Sequence, residues 1–245
     1  MVEARATQAM GLAGKWADPV DRLRLPPLPK EAINTNTEGR RPTGPVKGFG
    51  SLWRRTYAIR LAGSDATPAE VVRVWRERFG RFWPAAGRFY GADRPIEAGD
   101  VALLNLAGPA GVTIATGILV IFAGEESFCF ISSEGHMFGG MITFSAHEED
   151  GRAVAQVQAL LRASDPLFEI AMRLGMTTKP EDQFWHGALK NLAAHFGVKG
   201  QPVSQQAVLL DPGLQWQEAK NTWYNGAIRS ALHMPVRWIR RLGGG

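Results

Sequence analysis

The 245-residue sequence predicts an α+β fold: a run of antiparallel strands with a helix before it and helices after it. Three observations carry that expectation. Residues 96–163 read as consecutive strands, broken only by Gly-Pro-Ala-Gly, Ala-Gly-Glu-Glu, Glu-Gly-His and Glu-Asp-Gly. These breaks come at hairpin spacing, and strands joined so closely pair antiparallel, because a parallel pair needs a long crossover. Two segments with three- and four-residue apolar spacing flank the strands, one opening at Thr67 and one over residues 181–197.

Taken in order, residues 1–47 hold Pro-Pro, Thr-Gly-Pro and further breakers, so they predict an irregular arm laid over the surface. In "LWRRTYAIRLAG", Trp53, Tyr57, Ile59 and Leu61 alternate with Arg54, Thr56 and Arg60, the pattern of a half-buried strand. Arg55 falls on the apolar side of it. Thr67-Pro68-Ala69-Glu70 is a capping box with proline at the first helical position. Behind it Val71, Trp75, Phe79 and Phe82 form an inward stripe, and Pro84 closes the helix. Arg152–Ala163 puts Ala153, Ala155, Val157, Ala159 and Leu161 on one face. Asp165-Pro166 opens a short helix that Gly175 ends, and a longer helix follows with Phe184, Trp185, Ala188, Leu189, Leu192 and Phe196 on one stripe. Residues 198–212 read as polar and turn-like. The tail from Leu214 reads as helical up to Met234, where Pro235 breaks it.

Composition removes several function classes. A single cysteine, Cys129 between two phenylalanines, excludes an internal disulfide and a thiolate zinc site. The first residues lack a signal-peptide core and no run of 18 apolar residues occurs, so a cytoplasmic protein is the expectation. Net charge is +5, but residues 49–200 carry −1 while residues 1–48 carry +3 and residues 216–245 carry +4. A nucleic-acid-binding domain needs its basic face on the folded body, so no nucleic-acid partner is expected. Neither a phosphate-binding loop nor a nucleophile elbow is present, and no cofactor is expected.

The order strand, short capped helix, antiparallel strands, long helix resembles the START-like (SRPBCC) superfamily of lipid-transfer proteins and polyketide cyclases, carried by "TYAIRLAGSDATPAEVVRVWRERFGRFWP". Within it, Gly135-His136, Phe144, Asp150-Gly151 and Ser164-Asp165-Pro166 resemble an uncharacterised group of bacterial and plant domains. The resemblance covers about residues 48–199, leaving an arm at 1–47 and a linker and amphipathic tail at 200–245. It implies a helix-grip fold, in which a curved antiparallel sheet wraps a long C-terminal helix, with an apolar cavity between them. It does not imply a reaction, since one fold hosts many functions.

The cavity residues expected on this basis are Trp53, Arg55, Tyr57, Phe128, Phe130, Met141, Phe144, Met172 and Trp185, with Met176 beside them. Arg55 either pairs a ligand carboxylate or reaches solvent at a frayed strand start. His136 is the candidate catalytic acid or base, its alternative being a turn histidine bonded to backbone. His147 with Glu148 and Glu149 imitates a metal cluster, but adjacent strand residues point to opposite faces, so no metal site is expected. His186 and His195, nine residues apart on one helix, cannot share a ligand, and His195 is the nearer to the buried stripe. The tail carries Trp216, Ala219, Trp223 and Ala227 on one stripe, then Trp238 with Arg237, Arg240 and Arg241. Such a stripe packs on protein or lies at a membrane interface. The expected function is binding of an apolar small molecule of lipid, isoprenoid or polyketide type. The alternatives are a cyclase- or hydratase-type enzyme, which a buried inner acid would favour, and peripheral membrane or partner binding through the tail.

Overall fold

The computed structural model describes residues 15–108 and 112–233. The chain runs β1 (Pro42–Thr43), β2 (Leu52–Arg60), α1 (Pro68–Glu77), β3 (Gly87–Tyr90), β4 (Val101–Ala107), β5 (Thr113–Ala123), β6 (Ser127–Ser133), β7 (Phe138–Glu149), β8 (Arg152–Ala163), α2 (Pro166–Arg173), α3 (Thr178–His195) and β9 (Ser204–Asp211). All nine strands form one antiparallel sheet in the order β3-β4-β5-β6-β7-β8-β2-β9, with β1 paired to the end of β6. Strands β3 and β9 lie at its two ends and do not meet, so the sheet stays open. One face packs over α3, which presents Ala188, Leu189, Leu192 and Ala193 to it, and this is the helix-grip arrangement. No described helix is long and apolar enough to cross a membrane.

The capping signals act as their chemistry requires. Thr67 accepts from the Glu70 N–H at 3.3 Å and opens α1, which buries Val71, Val72, Val74 and Trp75 against β7 and β8. The helix ends at Glu77, and a 3-10 turn over Phe79–Phe82 carries the rest of the stripe inward. Asp165 caps α2 through the Leu167 and Phe168 N–H groups at 2.8 and 3.0 Å.

Four segments depart from the sequence expectation. Residues 204–211, expected to be turn-like, form β9 on the outer edge of β2. Its far end is tied down because the buried Arg162 guanidinium donates to the Gly50 and Gly213 carbonyls at 2.6 and 2.8 Å and pairs with Asp211. Strand β3 went unread because four residues are too few to show a period. The arm goes beyond a surface layer: Leu23, Asn36 and Thr37 are buried, and Trp16 bridges Phe122. The tail forms a 3-10 segment over Trp216–Tyr224 and turns α-helical at residues 226–233. The side it buries is polar, with Glu218, Asn225 and Ser230 inward. Of the expected stripe, Ala227 packs against the core under α2 and the Trp216 ring meets Phe49 at 5.2 Å, while Trp223 stays 82% exposed, so the stripe is covered only in part. Arg237, Trp238, Arg240 and Arg241 lie outside the described residues.

Candidate functional site on the inner face of the sheet

Strand register stacks the inner face in rows, because directly opposed residues point the same way. One row reads Tyr57, Val157, Phe144, Phe128 and the next reads Arg55, Ala159, Ile142, Phe130. Beyond them Trp53 opposes Leu161, and Leu161 opposes Gly140. Six of the expected residues (Trp53, Arg55, Tyr57, Phe128, Phe130 and Phe144) therefore share one face. Met141 does not. It is odd-numbered on a strand whose even residues point inward, so it lies on the outer face opposite Leu160 and Ile131. Met172 reaches the inner face from α2 and Trp185 from α3, whereas Met176 is exposed.

Much of this surface is filled by rings. Phe79 sits among Phe144, Phe130, Phe89 and Phe128 at centroid distances of 5.0, 5.1, 5.1 and 5.7 Å. Trp75 abuts Phe144 at 5.3 Å, and Trp185 closes on the same ring at 5.6 Å. These edge-on contacts make a packed aromatic core. A second, smaller core lies under α2, built from Phe138, Ala159, Leu161, Ala163, Phe168 and Met172. Ile142 touches both cores and yet stays partly exposed, as do Trp53 beside the second core and Trp185 beside the first. Near α2 and α3, then, the inner face is incompletely covered around Ile142, Trp53 and Trp185, while Ala159 beside Ile142 in its row is buried.

Arg55 stands at the β2 end of the row that holds Ile142. It is buried, and donates to Glu181 Oε2 at 2.7 Å and to Asp182 Oδ1 at 2.5 Å, while the Tyr57 hydroxyl donates to the same Asp182 oxygen at 2.6 Å. Burial pulls the arginine pKa down, but Glu181, Tyr57 and Asp182 outweigh it, so the guanidinium stays charged. Burial also pushes Tyr57 well above the usual phenol range, keeping it a donor. Glu181 is raised to about 7, mainly by burial and further by Asp182, against the pull of Arg55. Arg55 is thus occupied by the protein's own carboxylates and does not await a ligand's. His186 stands edge-on to Tyr57 at 5.9 Å, and its buried Nε2 has no partner among the described residues. His195 is exposed instead of lying in the core, and its ring edge meets Phe82.

Glu181 and Asp182 were missed because acids in the first turns of a helix are usually solvated partners of its dipole. Their signal was Arg55 itself: a buried arginine on a strand's apolar side requires carboxylates from whatever packs there.

His136 belongs to a different place, the β6–β7 corner. Its Nδ1 lies 3.0 Å from the Phe138 N–H and 3.1 Å from the Phe138 carbonyl, which already accepts from Ser132 Oγ at 2.7 Å. The N–H can only donate, so Nδ1 is the acceptor and the proton sits on Nε2. Desolvation lowers its pKa to about 4, leaving a neutral ring. Cys129 is buried and its thiol pKa raised by burial. His147, Glu148 and Glu149 are exposed, and no group of metal-ligating side chains forms among the described residues. A separate hollow of about 240 Å³ opens beside α1, lined in part by Arg76, Arg78, Arg81 and Arg94. Two of these are committed internally, Arg76 to the Ile96 carbonyl and Arg94 to Asp100.

No protein-family model matches the chain, and no curated protein sequence does. Among solved structures it is similar to the KanY protein, with TM-score 0.44 and 12% identity over 58% of this chain and 96% of that one. It is similar to Ara h 8.0201, with TM-score 0.43 and 12% identity over 59% and 97%. It is also similar to StfQ, a di-domain ARO/CYC from the steffimycin biosynthetic pathway, with TM-score 0.46 and 11% identity over 60% and 53%.

Proposed function

We propose that the protein binds an apolar small molecule of lipid, isoprenoid or polyketide type in a groove at this incompletely covered surface near α2 and α3. One observation carries the reading: Ile142, on the inner face of a buried sheet, touches two separately packed cores and is sealed by neither. Apolar area covered there stabilises a complex by about 25 cal/mol per Å², and a few polar groups set orientation. Because Arg55 is neutralised by Glu181 and Asp182, the groove favours a neutral ligand carrying a hydroxyl or carbonyl over an acid. The same Glu181, able to hold or release a proton near neutrality, supports the cyclase- or hydratase-type alternative acting on a ligand in this groove.

Titration with a polarity-sensitive apolar dye tests the reading. The wild-type protein binds it, and Ile142→Trp, which fills the groove from its floor, weakens binding roughly tenfold or more. Equal binding by the two proteins, with matching circular dichroism, would place the dye elsewhere and remove the groove.

A further inference from the structure

Exposed apolar side chains are not scattered evenly over this protein. Of the thirteen large ones among the described residues, four lie on α2 and the turn behind it, four on the tail between Trp216 and Leu232, and one, Val46, on the 3-10 turn Pro45–Lys47. Hydrogen bonds bring these three segments together. Asn221 of the tail donates to the Lys47 carbonyl at 2.8 Å and to the Ser164 carbonyl at 2.9 Å. Asn225 donates at 2.8 Å to Asp165, the residue that caps α2. Helix α2 is apolar on both sides. Phe168 and Met172 are buried under it, while Leu167, Ile170 and Leu174, spaced as one helical face, are 47%, 56% and 70% exposed. Trp216 and Trp223 are more exposed still. A contiguous patch of this kind marks a surface that meets something.

The charges that this surface exposes have one sign. Across residues 164–180 and 214–233 the acids, Asp165, Glu169 and Glu218, are all buried, whereas Arg173, Lys179 and Lys220 are exposed. Glu218 lies 3.8 Å from Lys47 and 3.9 Å from Lys220, so one buried carboxylate faces two ammonium groups. The sequence beyond residue 233 adds Arg237, Trp238, Arg240 and Arg241 and no acid. We propose that this surface docks the protein on a bilayer with anionic headgroups, the exposed face of α2 and the two tryptophans entering the interface while the cations meet the headgroups. The chemistry selects that occupant. A second copy would set like charges against like, and contacts between proteins are poor in lysine, whereas tryptophan beside exposed cations is the composition of a membrane interface. Adsorption draws on apolar burial and on the attraction of each cation to a negative surface. It holds whether or not the inner face of the sheet takes a ligand.

Flotation of the full chain with vesicles tests the docking. Vesicles of phosphatidylcholine mixed with phosphatidylserine bind the wild type roughly tenfold or more tightly than phosphatidylcholine alone, and raised salt erodes the difference. Ile170→Glu combined with Leu174→Glu, both at exposed positions, weakens binding to the mixed vesicles roughly tenfold or more. Leu210→Glu, at an exposed leucine of β9, leaves it unchanged. Lys179→Gln combined with Lys220→Gln lowers the preference for phosphatidylserine and leaves binding to phosphatidylcholine as it was. A wild type that floats with neither vesicle, or an Ile170→Glu, Leu174→Glu protein that binds as tightly as Leu210→Glu, would overturn the proposal. So would self-association without lipid that the same double variant abolishes, which would give this face to a second copy.

Discussion

Gly135 sits where three segments converge. Its φ is +88°, a Cβ there would lie 2.3 Å from both Asn36 Nδ2 and the Tyr224 carbonyl, and its own carbonyl accepts from the Gly226 N–H at 2.9 Å. The arm, the β6–β7 corner and the tail are thereby locked together at a position that admits no side chain. Gly135→Ala combines a left-handed backbone penalty with a clash, a loss of about 2–4 kcal/mol. Thermal unfolding should register it as a fall of about 5–15 °C; a change under 2 °C would show that these contacts yield. Glu181 carries the second residue-scale prediction. With its pKa raised from 4.5 to about 7, the folded state holds a proton that the unfolded chain has released, so stability falls as pH rises through that window. His136, lowered to about 4, acts oppositely, its contribution rising between about 4 and 6.5. Glu181→Gln removes the first slope and leaves the second, so the variant's melting temperature should gain on wild type from pH 4.5 to pH 7. Parallel curves would contradict the assignment. At this scale the sequence marked the Gly-His corner and the misplaced Arg55, but not what met them, since contacts across 126 residues leave no local pattern.

Elements were legible where a cap or a period wrote them locally. Thr67-Pro68-Ala69-Glu70 and Asp165-Pro166 each place a side-chain acceptor one turn ahead of an apolar stripe, and α1 and α2 start there. The small-residue face of β8 was equally plain. Strand β9 was not, because a strand exposed on both faces has no alternation to show, and its end is held by Arg162, 49 residues before Asp211. Arg162→Met removes the hydrogen bonds to Gly50, Gly213 and Asp211 without emptying the site. Amide exchange across β9 should then quicken roughly ten- to hundredfold while the β7–β8 ladder keeps its protection. Uniform acceleration through both would mean that β9 is not a separable unit.

At the scale of the whole molecule, hairpin spacing was enough for the antiparallel sheet, whereas the grip followed only from the resemblance in element order. How full the grip is could not be read, because periodicity reports which side chains point inward and is silent on the volume they leave. Phe79 fills the centre among Phe128, Phe130 and Phe144, and the inner face stays incompletely covered around Ile142 near α2 and α3. The most direct measurement is a native mass spectrum of protein purified without detergent, followed by solvent extraction of whatever is released. A neutral, hydroxyl- or carbonyl-bearing apolar adduct, absent from Ile142→Trp, is the predicted result. A bare protein mass that persists after incubation with a mixed lipid extract would contradict the account and leave the grip a closed core.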